Sequence, residues 1–380
     1  MTASLVVMVL GGYGIFGQRI CRKLANEPAI KIVVAGRTIG KAQVLCDELR
    51  SDYPGVNVEP MSVNVPESLA AAITETSTEL IIHTCGPFQG QDYAVPEICI
   101  ANGVDYIDIA DGRDYVGDIC ALDDQAVAAG VSIISGASSV PGLSSTVINA
   151  LSRDMQTIDD IDFGISPGNQ TPRGRAVMSA ILSYVGKPIS VWQQGRWQTV
   201  YGWQSLKRRK FAMAGLDTLG YRWLSICDVP DHPLFATHYP TAQNIVFRAG
   251  LQLSLLHVGL WLLSWLPRFG VVNNLARWTP LFEWGAERVK SWGSTLGGMY
   301  VDVSGRDHHG NAISRHWMII ADSGHGPYIP CLPAVALARR RARGEALPIG
   351  AFPCLGLFSL DDFAAELDGL DIQFASSSSR

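Results

Sequence analysis

Leu5-Val6-Val7-Met8-Val9-Leu10-Gly11-Gly12-Tyr13-Gly14-Ile15-Phe16-Gly17 is the stretch whose reading decides the fold. Six consecutive apolar residues have the length of a strand buried on both faces. A G-x-G-x-x-G pattern follows at Gly12, Gly14 and Gly17. With 38 glycines in 380 residues the pattern alone is weak. Its context gives it meaning, because residues 16–26 read as a helix and a second apolar run ends in Val33-Val34-Ala35-Gly36-Arg37. In such a strand–loop–helix unit the first glycine permits the tight turn and the second lets backbone approach a pyrophosphate. The third lets helix and strand pack closely. The helix N-terminus adds N–H groups and partial positive charge. The spacing therefore predicts a dinucleotide site lined by Gly12, Tyr13, Gly14, Ile15 and Gly17.

The end of the second apolar run indicates which dinucleotide. An NAD site places Asp or Glu there to bond the ribose 2′-hydroxyl. No acidic residue occurs between Pro28 and Cys46; the chain offers Arg37 and Thr38, with Lys41 one turn later. A guanidinium pairs with a 2′-phosphate where a carboxylate would repel it. NADP is the expected cofactor.

A chain of 380 residues exceeds one ordinary core, so two domains are expected. Hydrophobic content of 47% with 17% charged residues describes a well-packed globular protein, and a net charge of −5 argues against a general nucleic-acid binder. The 8 cysteines show no C-x-x-C or Cys/His metal spacing, so reduced thiols, no metal site and a cytoplasmic setting are expected. The chain runs directly into a strand with no basic, cleavable leader.

Strand and helix signals alternate through the first 150 residues. Strands are expected at 5–10, 30–35, 56–63, 80–84, 106–109 and 131–135, and helices at 16–26, 40–53, 67–74, 92–102 and 121–129. This is the α/β class: an N-terminal Rossmann doubly wound parallel sheet. All 10 tryptophans fall between Trp192 and Trp317, a shift that marks a second, α+β domain for substrate and dimerisation over 151–355. Within it, 299–304 and 313–321 read as a hairpin closed by Asp307-His308-His309-Gly310-Asn311. Helices are expected at 332–343 and at 360–367, the latter capped by Ser359, and 376–380 reads as a disordered tail.

Residues 249–267 carry no formal charge, lie between Arg248 and Arg268, and contain Trp261 and Trp265. Such a stretch is read three ways: a buried or dimer-interface helix, an interfacial helix lying on a membrane, or a span. Gln252, Ser254, His257 and Ser264 dilute it.

By residue 145 the chain resembles the saccharopine dehydrogenase-like family of NADP-binding oxidoreductases. The likeness is carried by 11–17, Ala35-Gly36-Arg37, Cys85-Gly86-Pro87-Phe88 with 94–99, and Gly103-Val104-Asp105-Tyr106-Ile107-Asp108-Ile109-Ala110-Asp111-Gly112. Ser135-Gly136-Ala137-Ser138-Ser139-Val140-Pro141-Gly142-Leu143-Ser144 extends it. The resemblance implies a substrate domain inserted into the nucleotide domain, with a C-terminal segment (356–380) returning to the latter. The family is functionally mixed, including saccharopine-forming reductases, other imine reductases and relatives acting on lipids. The tryptophan-rich middle departs from the amino-acid enzymes.

Cys85, Gly86 and Pro87 follow a buried strand at the carboxyl edge of the sheet, where ligands bind, and are expected beside the cofactor. No base near Cys85 in sequence supports a nucleophilic role. Asp108, Asp111 and Arg113 follow the next strand. One of these carboxylates could orient the nicotinamide ribose or assist proton transfer, Asp111 being the catalytic candidate, and Arg113 could clamp a substrate carboxylate, the alternative being a solvated loop. The basic runs 207–210 and 339–343 read as solvated helix faces or as contacts to anionic lipid. The expected activity is hydride transfer between NADP(H) and a C=N or C=O carbon of a small molecule. The alternatives are a membrane-associated reductase of a lipid and a non-catalytic NADP sensor.

Overall fold

The computed structural model describes residues 4–172 and 174–379. The chain divides into two compact units, 1–146 with 327–368, and 147–326 with 369–380.

The first unit is built on β1 (Leu5–Leu10), α1 (Gly17–Leu24), β2 (Ile30–Gly36), α2 (Ile39–Asp52), β3 (Asn57–Ser62), α3 (Leu69–Thr76), β4 (Leu80–His83), α4 (Ala94–Ala101), β5 (Asp105–Asp108), α5 (Arg113–Gly117), α6 (Asp123–Ala129) and β6 (Ser132–Ser135). The strands pair in parallel in the order 3-2-1-4-5-6 expected of a doubly wound sheet. Val7, Met8, Val9 and Leu10 are fully buried, as are Leu80, Ile81 and Ile82 opposite them on β4. Crossover helices cover both faces, so these strands read as continuous apolar runs and not as alternating ones. Burying each such side chain contributes roughly 1.5–3 kcal/mol.

A seventh strand, Gly350–Pro353, completes this sheet by pairing in parallel with β6. It corrects the expected domain limits: the chain re-enters the nucleotide unit at 327 and not at 356. The helix Leu332–Ala342 packs on α1 and buries Leu332, Val335, Leu337 and Ala338. The helix Leu360–Ala365 lies in the same unit and carries a capping box, Ser359 with Asp362. Three arginines of the run 339–343 are tied into ion pairs. Arg339 pairs with Glu366 at 2.6 Å, Arg340 with Glu345 at 2.9 Å and Arg341 with Asp105 at 3.0 Å.

In the second unit a long strand, Met155–Ser166, pairs in parallel with Asn244–Ala249 and antiparallel with Gly297–Asp307. The latter forms the expected hairpin with Ala312–Ala321, and Asp307 Oδ1 accepts from the amides of His309 and Asn311 to close the turn. The expected disordered tail is instead strand: Ile372–Ser379 pairs with Ala312–Ala321, and Arg380 lies outside the described residues. Backbone pairing ignores composition, and the buried Ile372 and the Phe374 ring against Trp317 (5.9 Å) anchor the serines. The run 207–210 is a strand too. Arg209 grips Asp302 with both nitrogens while stacked on Tyr300, and Lys207 pairs with Asp162 at 2.7 Å.

The apolar stretch 249–267 is broken into a strand end, a loop and the helices Ser254–Leu263 and Trp265–Arg268. Ten helical residues rise about 15 Å, half a hydrocarbon core. Among the described residues no helix is long and apolar enough to cross a membrane. His257 is fully buried between Ser225 Oγ (3.0 Å) and the Leu251 amide (3.2 Å).

Candidate functional site

The carboxyl edge of the first unit's sheet gathers the site residues. The glycine loop is fixed first: the amides of Gly11 and Gly12 both donate to Ala35 O, and Gly14 N donates to Gly11 O at 2.7 Å. Gly11 has φ +75°, which favours glycine. A Cβ on Gly12 would stand 2.9 Å from Val34 Cγ1, and one on Gly17 only 2.2 Å from Gly11 O. A Cβ on Gly14 would meet nothing but Gly11 O, at 3.0 Å, so that face of the turn is bare backbone. Such a cradle fits a pyrophosphate approaching the N-terminus of α1.

Tyr13 has a part the sequence does not disclose. Its ring lies across Gly36, where a Cβ would be 2.6 Å from Cε1, and its hydroxyl accepts from the Thr38 amide at 3.0 Å. The phenol thus pins the bend at the end of β2 that presents Arg37 and Thr38, both exposed. Ile15 O accepts from the Arg19 guanidinium one turn on, and Arg19 in turn lies over the Tyr328 ring. The structure brings Gly12, Tyr13, Gly14, Ile15, Gly17, Arg37 and Thr38 to one edge.

Cys85, Gly86 and Pro87 leave β4 beside that loop. Thr84 Oγ1 donates to Leu10 O at 2.7 Å, joining the ends of β4 and β1. The Gln91 amide clamps the turn by donating to Cys85 O (2.8 Å) and Pro87 O (2.7 Å). Burial pushes the Cys85 thiol up to about 11 despite the Arg37 guanidinium, so the sulfur stays protonated and packs.

Asp108 and Asp111, neighbours in sequence, part company. Asp108 is fully buried, and its Oδ1 accepts from the Ala110 amide (2.9 Å) and the Gly136 amide (2.8 Å), tying the ends of β5 and β6 together. Burial pushes its carboxyl up to about 6 against the pull of those amides and of the Ser135 and Tyr106 hydroxyls. Asp111 stands at the solvent-exposed rim, flanked by loops that strip part of its hydration and raise its carboxyl, while the Gln89 amide at 3.1 Å opposes the rise. Arg113 opens α5.

Below these loops lies an aromatic cluster that sequence reading missed. His83 Nδ1 bonds the Tyr106 hydroxyl at 2.9 Å, and that hydroxyl meets the Tyr115 hydroxyl at 3.1 Å. Phe88 packs on His83 and Tyr115 at 5.1 and 5.2 Å. Burial holds His83 down to about 3, so the folded ring is neutral. The unfolded chain, titrating near the ordinary 6.5, takes up the proton first. The stability from His83 is therefore complete above pH 6.5 and lost as pH falls toward 3. It amounts to about 3 kcal/mol by pH 4. His257, held down to about 4, acts in the same direction. His83→Gln should flatten the loss of urea stability between pH 6.5 and 4; an unchanged slope would remove His83 from the account.

His316 and His325 lie in the second unit. His316 Nδ1 sits 3.1 Å from Asp302, and His325 Nδ1 accepts from the Asp371 amide at 2.8 Å. Among the described residues no group of His, Cys, Asp and Glu could hold a metal ion.

Residues 7–134 match the family described as the saccharopine dehydrogenase NADP binding domain. Among solved structures, the apo saccharopine dehydrogenase (L-Glu forming) of Saccharomyces cerevisiae superposes with a TM-score of 0.65 at 14% identity, covering 98% of this chain and 100% of that one. At that identity the likeness is one of fold. GenD2 from gentamicin A biosynthesis, in complex with NAD, aligns at 12% identity over 99% of this chain and 97% of that one, with a TM-score of 0.41. The L-sorbose reductase of Gluconobacter frateurii, complexed with NADPH and L-sorbose, aligns at 13% identity over 35% of this chain and 68% of that one, with a TM-score of 0.29. The curated proteins offer no match.

Proposed function

We propose that this protein, whose residues 7–134 form a saccharopine dehydrogenase-like NADP-binding domain, is an NADP(H)-dependent oxidoreductase acting on a C=N or C=O carbon of a small molecule. The observation that carries the reading is the edge where the bare turn at Gly14 stands beside Arg37 and Thr38 with no carboxylate at the end of β2. Gly12, Tyr13, Gly14, Ile15 and Gly17 with the N-terminus of α1 would hold the pyrophosphate. Arg37 and Thr38 would hold the 2′-phosphate, and Cys85, Gly86 and Pro87 would border the ribose and nicotinamide side. Bound NADPH supplies a hydride from its nicotinamide ring. The chain's share is placement and one proton. Asp111, with its raised carboxyl at the rim, is the proposed proton source, and Arg113 the proposed clamp for a substrate carboxylate.

Titration of the protein with both cofactors tests the reading. NADPH should bind at least tenfold more tightly than NADH. Arg37→Ala should weaken NADPH by roughly 10–100-fold, the loss of a charge-assisted phosphate contact, and leave NADH unchanged. Equal affinity of the unaltered protein for the two would overturn the NADP assignment. Oxidation of NADPH with imines or carbonyls, slowed by Asp111→Asn, is the expected activity. Tight binding without any turnover would point to a sensor.

A further inference from the structure

Large apolar side chains are exposed unevenly over this molecule. Of the fourteen exposed among the described residues, eight fall between Leu255 and Trp292. Six of these form two stripes at helical spacing. Leu255, Leu262 and Phe269 recur every seven residues along helices that run on through Ser264, whose own backbone is right-handed helical. Trp278, Leu281 and Trp284 recur every three residues into the helix Thr279–Arg288 and lie 42%, 61% and 57% exposed.

The charge on this segment runs against that of the whole. The chain carries −5, yet residues 254–292 hold Arg268, Arg277, Arg288 and Lys290 against Glu283 and Glu287. Both carboxylates already have partners, Arg175 at 3.6 Å and Lys290 at 3.1 Å. Two of the cations lie on aromatic rings, Arg268 over Trp265 at 4.6 Å and Arg288 over Trp284 at 4.1 Å. Tryptophan with a guanidinium on its face suits the headgroup layer, where an apolar ring and a phosphate-seeking cation are both satisfied.

We propose that residues 254–292 form a monotopic docking surface that lays these two helical stripes on an anionic lipid bilayer. A second copy of the chain is the competing occupant. Two such faces apposed would set cation against cation, whereas anionic headgroups neutralise them. The helices are too short to span, which leaves them in the interface plane. The proposal goes beyond the cofactor reading and does not depend on it.

Flotation of the full chain with phosphatidylcholine vesicles, alone and mixed with phosphatidylglycerol, tests it. The protein should float with the mixed vesicles, bind the neutral ones more weakly, and be released in part by salt. The double variant Leu281→Glu with Trp284→Glu changes only exposed side chains, so it should keep the parent Tm and NADPH affinity. It should lose at least about tenfold in vesicle binding, since two apolar anchors become charges. Failure of the unaltered protein to float with either vesicle overturns the proposal. So does a dimer by sedimentation that the double variant dissociates, because the stripes would then face a second copy. Loss of NADPH binding with flotation intact would count against the cofactor reading alone.

Discussion

Gly17→Ala should abolish cofactor binding and destabilise the first unit. The added Cβ would lie 2.2 Å from Gly11 O and 2.8 Å from both Gly11 C and Gly12 Cα, all of them backbone atoms that no side-chain rotation can move. Relief requires the turn to open or α1 to retreat from β1, and either removes the cradle. Overpacking of this kind costs about 3 kcal/mol, and NADPH affinity should fall by more than 100-fold. Gly40→Ala is the matched control. Nothing lies within 4 Å of a Cβ there, and the position is inside α2, so stability should rise by about 0.5–1 kcal/mol. Thermal unfolding and isothermal titration read both. A Gly17→Ala protein that binds NADPH within a few-fold of the parent would show that the loop is not the cofactor cradle.

The second large effect belongs to Asp108. Asp108→Ala strands the buried amides of Ala110 and Gly136, each costing about 1–3 kcal/mol, so a total loss of roughly 2–4 kcal/mol is expected. Asp108→Asn keeps an oxygen for both amides and should recover most of it. The pH dependence separates charge from shape. The folded carboxyl titrates at about 6 against an ordinary 3.8, so the folded state takes up its proton first as pH falls. Asp108 therefore adds stability on acidification from pH 7 to 4, up to about 3 kcal/mol, and this is lost again as pH rises through 6. That gain opposes the withdrawal by His83 and His257 over much of the same range. Removing it in Asp108→Asn should make the acid loss steeper than in the parent. Parallel urea curves across pH for parent and Asn variant would refute the shifted carboxyl.

The nucleotide-binding half was legible because its signals are local. Strand, glycine loop, helix and Arg37 occupy one unit of chain, and each element meets its neighbour in order. What escaped was remote or without pattern. Gly350–Pro353 is four residues long and its partner, Ser132–Ser135, lies far upstream, so no periodicity announces it. The partners of the two basic runs, among them Asp302, Asp105 and Glu366, are equally distant in sequence. Tyr106, Ile107 and Asp108 are all buried, because β5 is covered on both faces. With no alternation, nothing in the sequence tells the inward Asp108 from the rim Asp111. The Tyr13 hydroxyl on Thr38 depends on a chain reversal that spacing does not encode.

The seventh strand also sets a timetable for biogenesis. The residues that complete the edge at Ser132–Ser135 are synthesised only after residues 147–326 of the second unit. At 5–20 residues per second, an emerging chain would hold that edge open for roughly 10–40 seconds. During that interval the β6 edge presents unpaired backbone to anything nearby, a hazard for association between nascent chains. The same arrangement makes a nucleotide domain cut off after residue 150 an unfinished object. The complete sheet joins two segments that the intervening residues 147–326 keep apart in the chain.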